Sequence, residues 1–223
     1  RQMCIRDRYD TTITMGRYWH LKDWWKLIVG TFREYLDHNV KLFNDKEIEL
    51  SQRYAACQDE SDYANIAMEE KEVYNFWLLR SVLNAGLMYL YSQFERKMVE
   101  LAQIVSPGYD PPYGGVIESA CEAIRSAKGL ELSSLWIGSW GCIKDFLQIR
   151  NACVHRDGVT DELRHIEAIH RLNQFLKVID RPDGNMEIYL TKENLIWISD
   201  KMTYCYELLI DELEKYEKKK EES

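Results

Sequence analysis

The chain of 223 residues is long enough to bury one substantial core, and its composition excludes several classes of protein. Hydrophobic residues make up 46% of the chain, with 7 Trp and 14 Tyr, which argues against intrinsic disorder. The longest apolar run, Ala85 to Tyr91, is far shorter than the roughly 18 residues needed to span a bilayer, so no membrane association is expected. A formal net charge of −8 disfavours broad, nonspecific binding to DNA, which requires a basic surface.

The first residues differ in character from the rest of the chain. Arg1 to Arg8 resembles a translated sequencing-adapter fragment, and residues 1–17 are expected to be a disordered or non-native leader. They show no basic segment followed by an apolar stretch and a small-residue cleavage site. The sequence therefore predicts a cytoplasmic protein whose residues 18–223 form a single domain.

The first half of the chain shows two long helical patterns. Trp19 to about Cys57 predicts one helix or two, with Asn44-Asp45 as the place for a break. After the polar gap at Gln58 to Asp62, a pattern without proline runs from about Tyr63 to Val105, and its apolar centre predicts the central helix of a bundle. The period of the first pattern is given by Trp24, Leu27, Ile28, Phe32, Tyr35 and Leu36.

Shorter elements follow. Ser106 to Gly115 holds three of the four prolines and predicts a loop, after which Val116 to about Lys128 predicts a short helix that Gly129 caps. The next helix is expected to end near Asp157-Gly158. Thr160 is expected to cap the N-terminus of the helix that follows.

The last part of the chain changes pattern once more. Leu176 to Ile179 and Met186 to Thr191 flank the turn residues around Pro182, which predicts a small β-hairpin near residues 176–191. A last helix is predicted from about Lys192 to Lys218. The expected fold class is all-α, an antiparallel helical bundle with this small hairpin attached.

One stretch, Arg150-Asn151-Ala152-Cys153-Val154-His155, places an arginine where a helix should carry an apolar residue. A guanidinium that faces a core or an interface is costly to desolvate unpaired, so it needs a carboxylate, a partner subunit or a phosphate. Asn151 and His155 are four residues apart and lie on the adjoining face of the helix. The stripe that Arg150 interrupts consists of Trp136, Trp140, Ile143, Leu147, Arg150 and Val154.

These six residues resemble the RxxxxH motif, in its Arg-Asn form, of the HEPN domains, a superfamily of small all-helical proteins that includes many metal-independent ribonucleases. The setting is similar too, since a long helical hairpin precedes the motif, the motif ends a helix, and another helix follows. Tyr91 to Glu95 resembles the family's earlier helix, which often carries an acidic residue. The resemblance covers roughly residues 70 to 215 and implies a bundle of HEPN type, with residues 18–62 as an N-terminal helical extension.

The resemblance also implies an activity, that of a metal-independent endoribonuclease without a cofactor. Such an enzyme must deprotonate the ribose 2′-hydroxyl, stabilise charge on the phosphorane-like transition state, and protonate the leaving 5′-oxygen. The resemblance assigns His155 as general acid and base, Arg150 to the scissile phosphate, Asn151 as a supporting hydrogen-bond donor, and Glu95 as a residue that orients Arg150.

In catalytic members of the family two copies of the motif meet, which implies a composite site at a homodimer interface. The implied substrate is RNA, and the implied role is that of a toxin or an anti-viral defence protein with an antitoxin or a nucleotidyltransferase-type partner. The stretch from Lys144 to Arg181 has seven basic and six acidic residues, so a local RNA site is compatible with the acidic chain.

Two other functions remain open. In the first, the chain is a non-catalytic interaction or dimerisation module, in which Arg150 forms a structural ion pair with a carboxylate such as Glu95 and His155 caps a helix C-terminus. In the second, Glu162-xx-His165 and Glu167-xx-His170 belong to a metal-binding bundle, which is disfavoured because both pairs lie on one helix.

Remaining features favour packing over chemistry. Trp24-Trp25 and Trp19 are more typical of a core or a dimer contact than of a base-stacking platform. Gly114-Gly115 lacks a phosphate-loop pattern around it. The six cysteines show no CxxC pair or zinc-finger spacing, which favours buried free thiols and no metal.

Overall fold

The computed structural model describes residues 18–56, 62–129 and 139–222, and within these ranges the chain is a helical bundle with a small three-stranded sheet. The helices are α1 (Trp19–Ala56), α2 (Asp62–Glu72), α3 (Leu79–Val105), α4 (Val116–Lys128), α5 (Ser139–Arg156), α6 (Leu163–Leu172) and α7 (Lys192–Glu221). A π-helical segment, Val73–Leu78, joins α2 to α3. The strands are β1 (Val159–Thr160), β2 (Lys177–Asp180) and β3 (Met186–Tyr189). The predicted leader, Cys4, Cys57 and Trp136 lie outside the described residues.

The helices α1 and α3 pack against each other in opposite directions. The rings of Trp25 and Phe94 lie 5.5 Å apart, and those of Phe32 and Tyr89 lie 6.2 Å apart. Residue numbers therefore rise along one helix as they fall along the other, which confirms the predicted antiparallel bundle. Trp25 is fully buried and also contacts Tyr206 of α7 at 5.9 Å, so one indole joins three helices.

Polar contacts join the first half of α1, and Tyr18 just before it, to both ends of α7. The Tyr18 hydroxyl donates to Glu217 at 2.8 Å near one end, and Lys192 forms an ion pair with Asp37 at 2.6 Å near the other. On the opposite side of α7, Trp197 packs edge-on against Phe146 of α5 at 5.3 Å. The bundle thus consists mainly of α1, α3, α5 and α7, with α4 packed on α3 and α6 on α5.

The buried face of α1 differs from the predicted one. Trp24, Leu27 and Tyr35 are 56%, 59% and 45% exposed, so the predicted period was partly wrong. The chain offers two overlapping apolar stripes that share Phe32 and Leu36, and packing on α3 and α7 selects the one that contains Trp25. The buried residues of α1 are Leu21, Trp25, Val29, Phe32, Leu36, Phe43 and Leu50.

The alternative break in α1 at Asn44-Asp45 does not occur, since the helix is continuous through both residues. Phe43 on one side and Leu50 on the other are buried on the same face, so packing holds the helix together across two residues of low helix propensity.

The predicted hairpin near residues 176–191 is confirmed, because β2 pairs antiparallel with β3. The sheet also contains β1, which sequence reasoning missed, in the order β1-β3-β2. Thr160 lies in this strand and is not the N-cap of α6, which is Glu162. A two-residue strand shows no alternation, so the pattern gave no signal for it. No helix in the described ranges combines the length and apolar character needed to cross a membrane.

Candidate functional site

The motif helix α5 presents its residues at three depths. Ile149, Ala152 and Cys153 are buried and form the face that packs into the core. Arg150 and Asn151 are half-buried beside that face, and His155 is exposed on the last turn. The predicted stripe through Arg150 therefore runs from the core at Ile143 to the edge of the bundle, where a charged side chain can reach solvent.

The Arg150 guanidinium lies over a ring of α3. Its Cζ is 6.0 Å from the centroid of the buried Tyr91 ring, and its Nη1 donates to Asn151 Oδ1 at 2.9 Å. Its Nε is buried and has no hydrogen-bond partner among the described residues. Stacking on an aromatic ring holds the guanidinium without saturating its five donors, so it retains capacity for an anion.

Glu95 lies on α3, one turn after Tyr91. The charge of Arg150 acts on its carboxyl group. Burial raises the pKa of the half-buried Glu95 carboxyl, the Arg150 guanidinium opposes the rise, and the Glu118 carboxylate on α4 adds to it. Within the described part of the chain no ion pair within 4.0 Å joins Glu95 to Arg150. The structure thus places Arg150 beside Asn151 and within electrostatic range of Glu95, with no ion pair to that carboxyl.

His155 is not part of this group. Its imidazole is exposed, and no described hydrogen bond or ion pair joins it to Arg150 or Asn151. At 3.6 residues per turn, positions five apart lie about 140° from each other around a helix. One copy of α5 therefore directs Arg150 and His155 toward different sides.

The C-terminal end of α5 is tightly fixed. The Gly158 N–H donates to the Ala152 carbonyl at 3.0 Å, and Asp157 and Gly158 have φ values of 53° and 82°, so a left-handed turn ends the helix. The Arg80 guanidinium of α3 donates to the Asp157 carbonyl and to Glu187 of β3 at 2.6 Å. The position of His155, two residues before Asp157, therefore depends on this anchor.

Sequence reasoning missed Arg80, although a signal was present. Arg80 is only 9% exposed and stands in the apolar stretch of the long central helical pattern, as Arg150 stands in the stripe of α5. A buried guanidinium needs a carboxylate or carbonyl partner, and this argument, already applied to Arg150, also applies to Arg80.

The second histidine near the motif end is His165, which is 2% exposed. Its Nδ1 lies 2.8 Å from Thr160 Oγ1, and its Nε2 is 3.7 Å from Glu162 Oε2. Burial lowers the pKa of this imidazole, while the Glu162 carboxylate opposes the change. The structure therefore gives His165 a role in joining β1 to α6.

The ExxH pairs do not converge. Glu167 forms an ion pair with Arg171 at 3.9 Å and His170 is exposed, away from the buried His165. In the described ranges no group of three or more His, Cys, Asp or Glu side chains is placed to hold a metal ion.

Searches with the chain against protein-family models, curated proteins and solved structures find no match. The resemblance to the HEPN domains therefore rests on the six-residue motif and on the helices around it.

Proposed function

We propose that this chain is a metal-independent endoribonuclease of HEPN type that cleaves RNA as a homodimer. The observation that carries the proposal is the state of Arg150, a half-buried guanidinium over the Tyr91 ring. Among the described residues it donates a hydrogen bond to Asn151 alone and forms no ion pair. A guanidinium held in this way can donate to phosphoryl oxygens as charge develops in a transition state.

His155 supplies the proton chemistry in this proposal. Histidine titrates near neutral pH, so an exposed imidazole can accept the proton of the 2′-hydroxyl or donate one to the 5′-oxygen. The left-handed turn at Asp157 and Gly158 and the Arg80 contact fix the backbone that follows His155 and so fix where its side chain begins.

The directions of the two side chains support the homodimer that the family resemblance implies. Because Arg150 and His155 lie about 140° apart around α5, one copy of the helix does not aim both at a single phosphate. In a dimer, Arg150 of one subunit and His155 of the other face a common cleft. The roles of toxin or anti-viral protein, and an antitoxin or nucleotidyltransferase-type partner, rest on the family resemblance alone.

A second candidate, a non-catalytic interaction module, is favoured by one observation. The hairpin formed by the second half of α1, α2 and the π-helical segment exposes apolar side chains, among them Leu42 at 57%, Met68 at 59% and Trp77 at 52%. Exposed apolar residues are typical of protein-binding surfaces where they form a continuous patch.

The test is RNA cleavage by the purified chain in excess chelator. The wild type is expected to release products with 2′,3′-cyclic phosphate ends, and His155→Ala and Arg150→Ala to lower the rate by about 100-fold or more. Matched controls are His170→Ala and Arg125→Ala, exposed residues of α6 and α4, which should keep full activity. Intact RNA beside a folded wild-type dimer would favour the interaction module.

Mixing the Arg150→Ala and His155→Ala variants tests whether each site is built from two subunits. Neither Arg150→Ala nor His155→Ala is active alone, but a heterodimer of the two variants contains one site with both an intact arginine and an intact histidine. Activity should therefore return on mixing, to at most a fraction of the wild-type rate. No recovery between variants that exchange subunits would contradict a site built from both chains.

A further inference from the structure

The strand β2 (Lys177–Asp180) lies at one edge of the small sheet, because the strand order is β1-β3-β2. Val178 is half-buried, and the other three residues of the strand are exposed. An edge strand presents backbone N–H and C=O groups that can pair with a further strand. The edge of β2 is therefore a candidate site for an extended peptide.

The backbone groups of Val178 and Asp180 point away from β3. The Arg181 N–H donates to the Asn185 carbonyl at 2.9 Å, so Arg181 faces the strand side of β3. In an antiparallel ladder this direction alternates from residue to residue, which turns the N–H and C=O of Val178 and Asp180 outward. Among the described residues no backbone group accepts from or donates to them, so they remain for a partner strand.

The open part of this edge is bounded on both sides. Before β2, the Leu176 N–H donates to the Leu172 carbonyl at 3.1 Å and is already used. After β2, the next outward position is Pro182, which has no N–H to offer. The edge therefore fits a short segment that lies opposite Lys177 to Arg181.

The side chains along the edge define the chemistry of the partner. Lys177 and Arg181 are exposed cations, and Ile179 between them is 44% exposed. The two cations lie on one face of the sheet, since Lys177 is 5.8 Å from the ring centroid of Tyr189 and Arg181 contacts Glu187 at 3.2 Å. Ile179 lies between them on the same face, so the order along the edge is cation, apolar, cation.

A second copy of β2 does not match this order. The symmetric antiparallel register that uses the outward groups of both copies pairs Val178 with Asp180 and places Lys177 against Arg181. Like charges directly opposite each other destabilise a strand pair. An exposed lysine on an edge strand also opposes self-association. The charges therefore favour a different chain that carries carboxylates.

We propose that the edge of β2 binds an extended segment of another protein in which two acidic side chains flank an apolar one, with one residue between each. In an antiparallel alignment the acidic residues lie opposite Lys177 and Arg181, and the apolar residue lies opposite Ile179. These are non-hydrogen-bonded pairs, in which side chains approach most closely. The residues between them exchange hydrogen bonds with Val178 and Asp180. This binding is independent of the proposed ribonuclease activity.

Fluorescence anisotropy of the full chain with a labelled heptapeptide, Thr-Glu-Thr-Val-Thr-Glu-Thr, tests the proposal. Saturable binding is expected with a Kd below about 1 mM. A charge-reversed peptide, with lysine in place of both glutamates, should bind at least tenfold more weakly. Nonspecific attraction to a chain of net charge −8 would favour the lysine peptide instead. Absence of binding by the acidic peptide, or equal affinity for both peptides, overturns the proposal.

Methylation of peptide nitrogens tests whether the two backbones pair. The threonines on either side of the valine donate to β2 in the proposed alignment, so their N-methylation should weaken binding by about tenfold or more. The matched control is N-methylation of the valine, whose N–H points away from β2, and it should have little effect. Equal losses from the two modifications contradict strand pairing.

A charge reversal in the chain locates the contact. Lys177→Glu should weaken binding of the acidic peptide by about fivefold or more and strengthen binding of the charge-reversed peptide. Lys41→Glu, the same change at an exposed position of α1, should alter neither affinity. Urea denaturation checks that both variants are folded. Equal effects of the two variants contradict the assignment to β2.

Hydrogen exchange distinguishes a bound peptide from a second copy of the chain. In the free protein the amides of Val178 and Asp180 should exchange fast, while that of Ile179, which faces β3, is protected. Saturating peptide should slow exchange at Val178 and Asp180. If both are already protected without peptide and lose this protection on dilution, a second copy occupies the edge and the proposal is wrong.

Discussion

The Arg80 guanidinium donates to the backbone carbonyl of Asp157, and so joins the first turn of α3 to the residue that follows the motif helix. The same guanidinium lies 2.6 Å from Glu187 Oε1 and 5.0 Å from the centroid of the Tyr189 ring. One buried cation therefore links α3, the end of α5 and strand β3. The segment that carries His155 takes its position from this link.

Removal of the Arg80 side chain should destabilise the protein strongly. Arg80→Ala leaves Glu187, whose side chain is 10% exposed, without its nearest cation and leaves the Asp157 carbonyl without this donor. Loss of one partner of a buried pair costs about 3–5 kcal/mol. Urea denaturation measures the change.

The matched control is Arg181→Ala. Arg181 contacts the other oxygen of Glu187 at 3.2 Å, but its side chain is 39% exposed. Exposed ion pairs contribute about 1 kcal/mol or less, so this variant should unfold close to the wild type. Similar losses in both variants would contradict the special role of Arg80.

Gly158 should tolerate no side chain. Its φ is 82°, and an added Cβ would lie 2.8 Å from Arg80 Nη2 and 2.9 Å from the Ile188 carbonyl oxygen. The left-handed conformation costs an alanine about 1–2 kcal/mol, and the overpacking adds about 1–3 kcal/mol. Thermal or urea unfolding of Gly158→Ala should show both effects together.

Gly184→Ala measures the conformational cost of the left-handed backbone without the steric clash. Gly184 has the same φ of 82°, but an added Cβ meets nothing within 4 Å. This variant should lose only the conformational share, about 1–2 kcal/mol. The difference between the two variants then measures how rigidly Arg80 and β3 enclose the end of α5.

The helices were predictable because their patterns are local. A run without proline from Tyr63 to Val105 and glycine at position 129 fix helix positions by spacing and backbone preference alone. Two features were not predictable in this way. The face that α1 buries depends on which of two overlapping stripes meets α3, and β1 exists only because β3 lies beside it.

The site shows the same division. The stripe on α5 identified Arg150 from spacing, and the structure places it half-buried between the core and solvent. Its contact with Tyr91, and the lack of a described ion pair with Glu95, depend on how α3 and α5 cross, which no single-helix pattern contains. Arg80 was visible in the sequence, but its partners are 77 and 107 residues away.

The buried His165 should make stability depend on pH. Burial lowers the pKa of its imidazole below the usual value near 6.5, although Glu162 opposes this and Arg156, Arg164 and His155 favour it. The neutral ring therefore contributes stability that is complete above the unfolded pKa near 6.5 and is lost as pH falls through the lower folded pKa.

His165→Gln tests this titration, because an amide can still bond Thr160 but does not become charged. Between pH 7.5 and pH 5.5 the wild type should lose more unfolding free energy than the variant does. His170→Gln, which changes an exposed histidine of the same helix, should follow the wild type. If all three proteins lose the same amount, His165 does not set this dependence.

The buried thiols should be unreactive in the native protein. Burial raises the pKa of Cys153 to about 12 and that of Cys205 to about 12, which leaves almost no thiolate at neutral pH. Cys142 is half-buried and should react faster with a maleimide than either. Mass spectrometry of labelled peptides before and after denaturation gives the order, and fast labelling of Cys153 would show that the end of α5 opens.

Glu95→Gln distinguishes a neutral neighbour of Arg150 from a structural ion pair. Burial raises the folded pKa of Glu95, so the stability linked to its protonated form is complete below the unfolded value near 4.3 and is lost as pH rises through the folded pKa. The glutamine variant should therefore match the wild type at pH 4 and be the more stable of the two at pH 8. Urea denaturation at both pH values gives the comparison.

The effect of Glu95→Gln on stability should also be measured in the Arg150→Ala variant. Arg150 partly offsets the charge of Glu95, and Glu118 opposes ionisation, so without the guanidinium the gain from Glu95→Gln at pH 8 should increase. The double-mutant cycle measures this coupling. Should Glu95→Gln instead lose stability at pH 8, Glu95 would hold Arg150 as an ion pair, and the interaction module would be favoured over the ribonuclease.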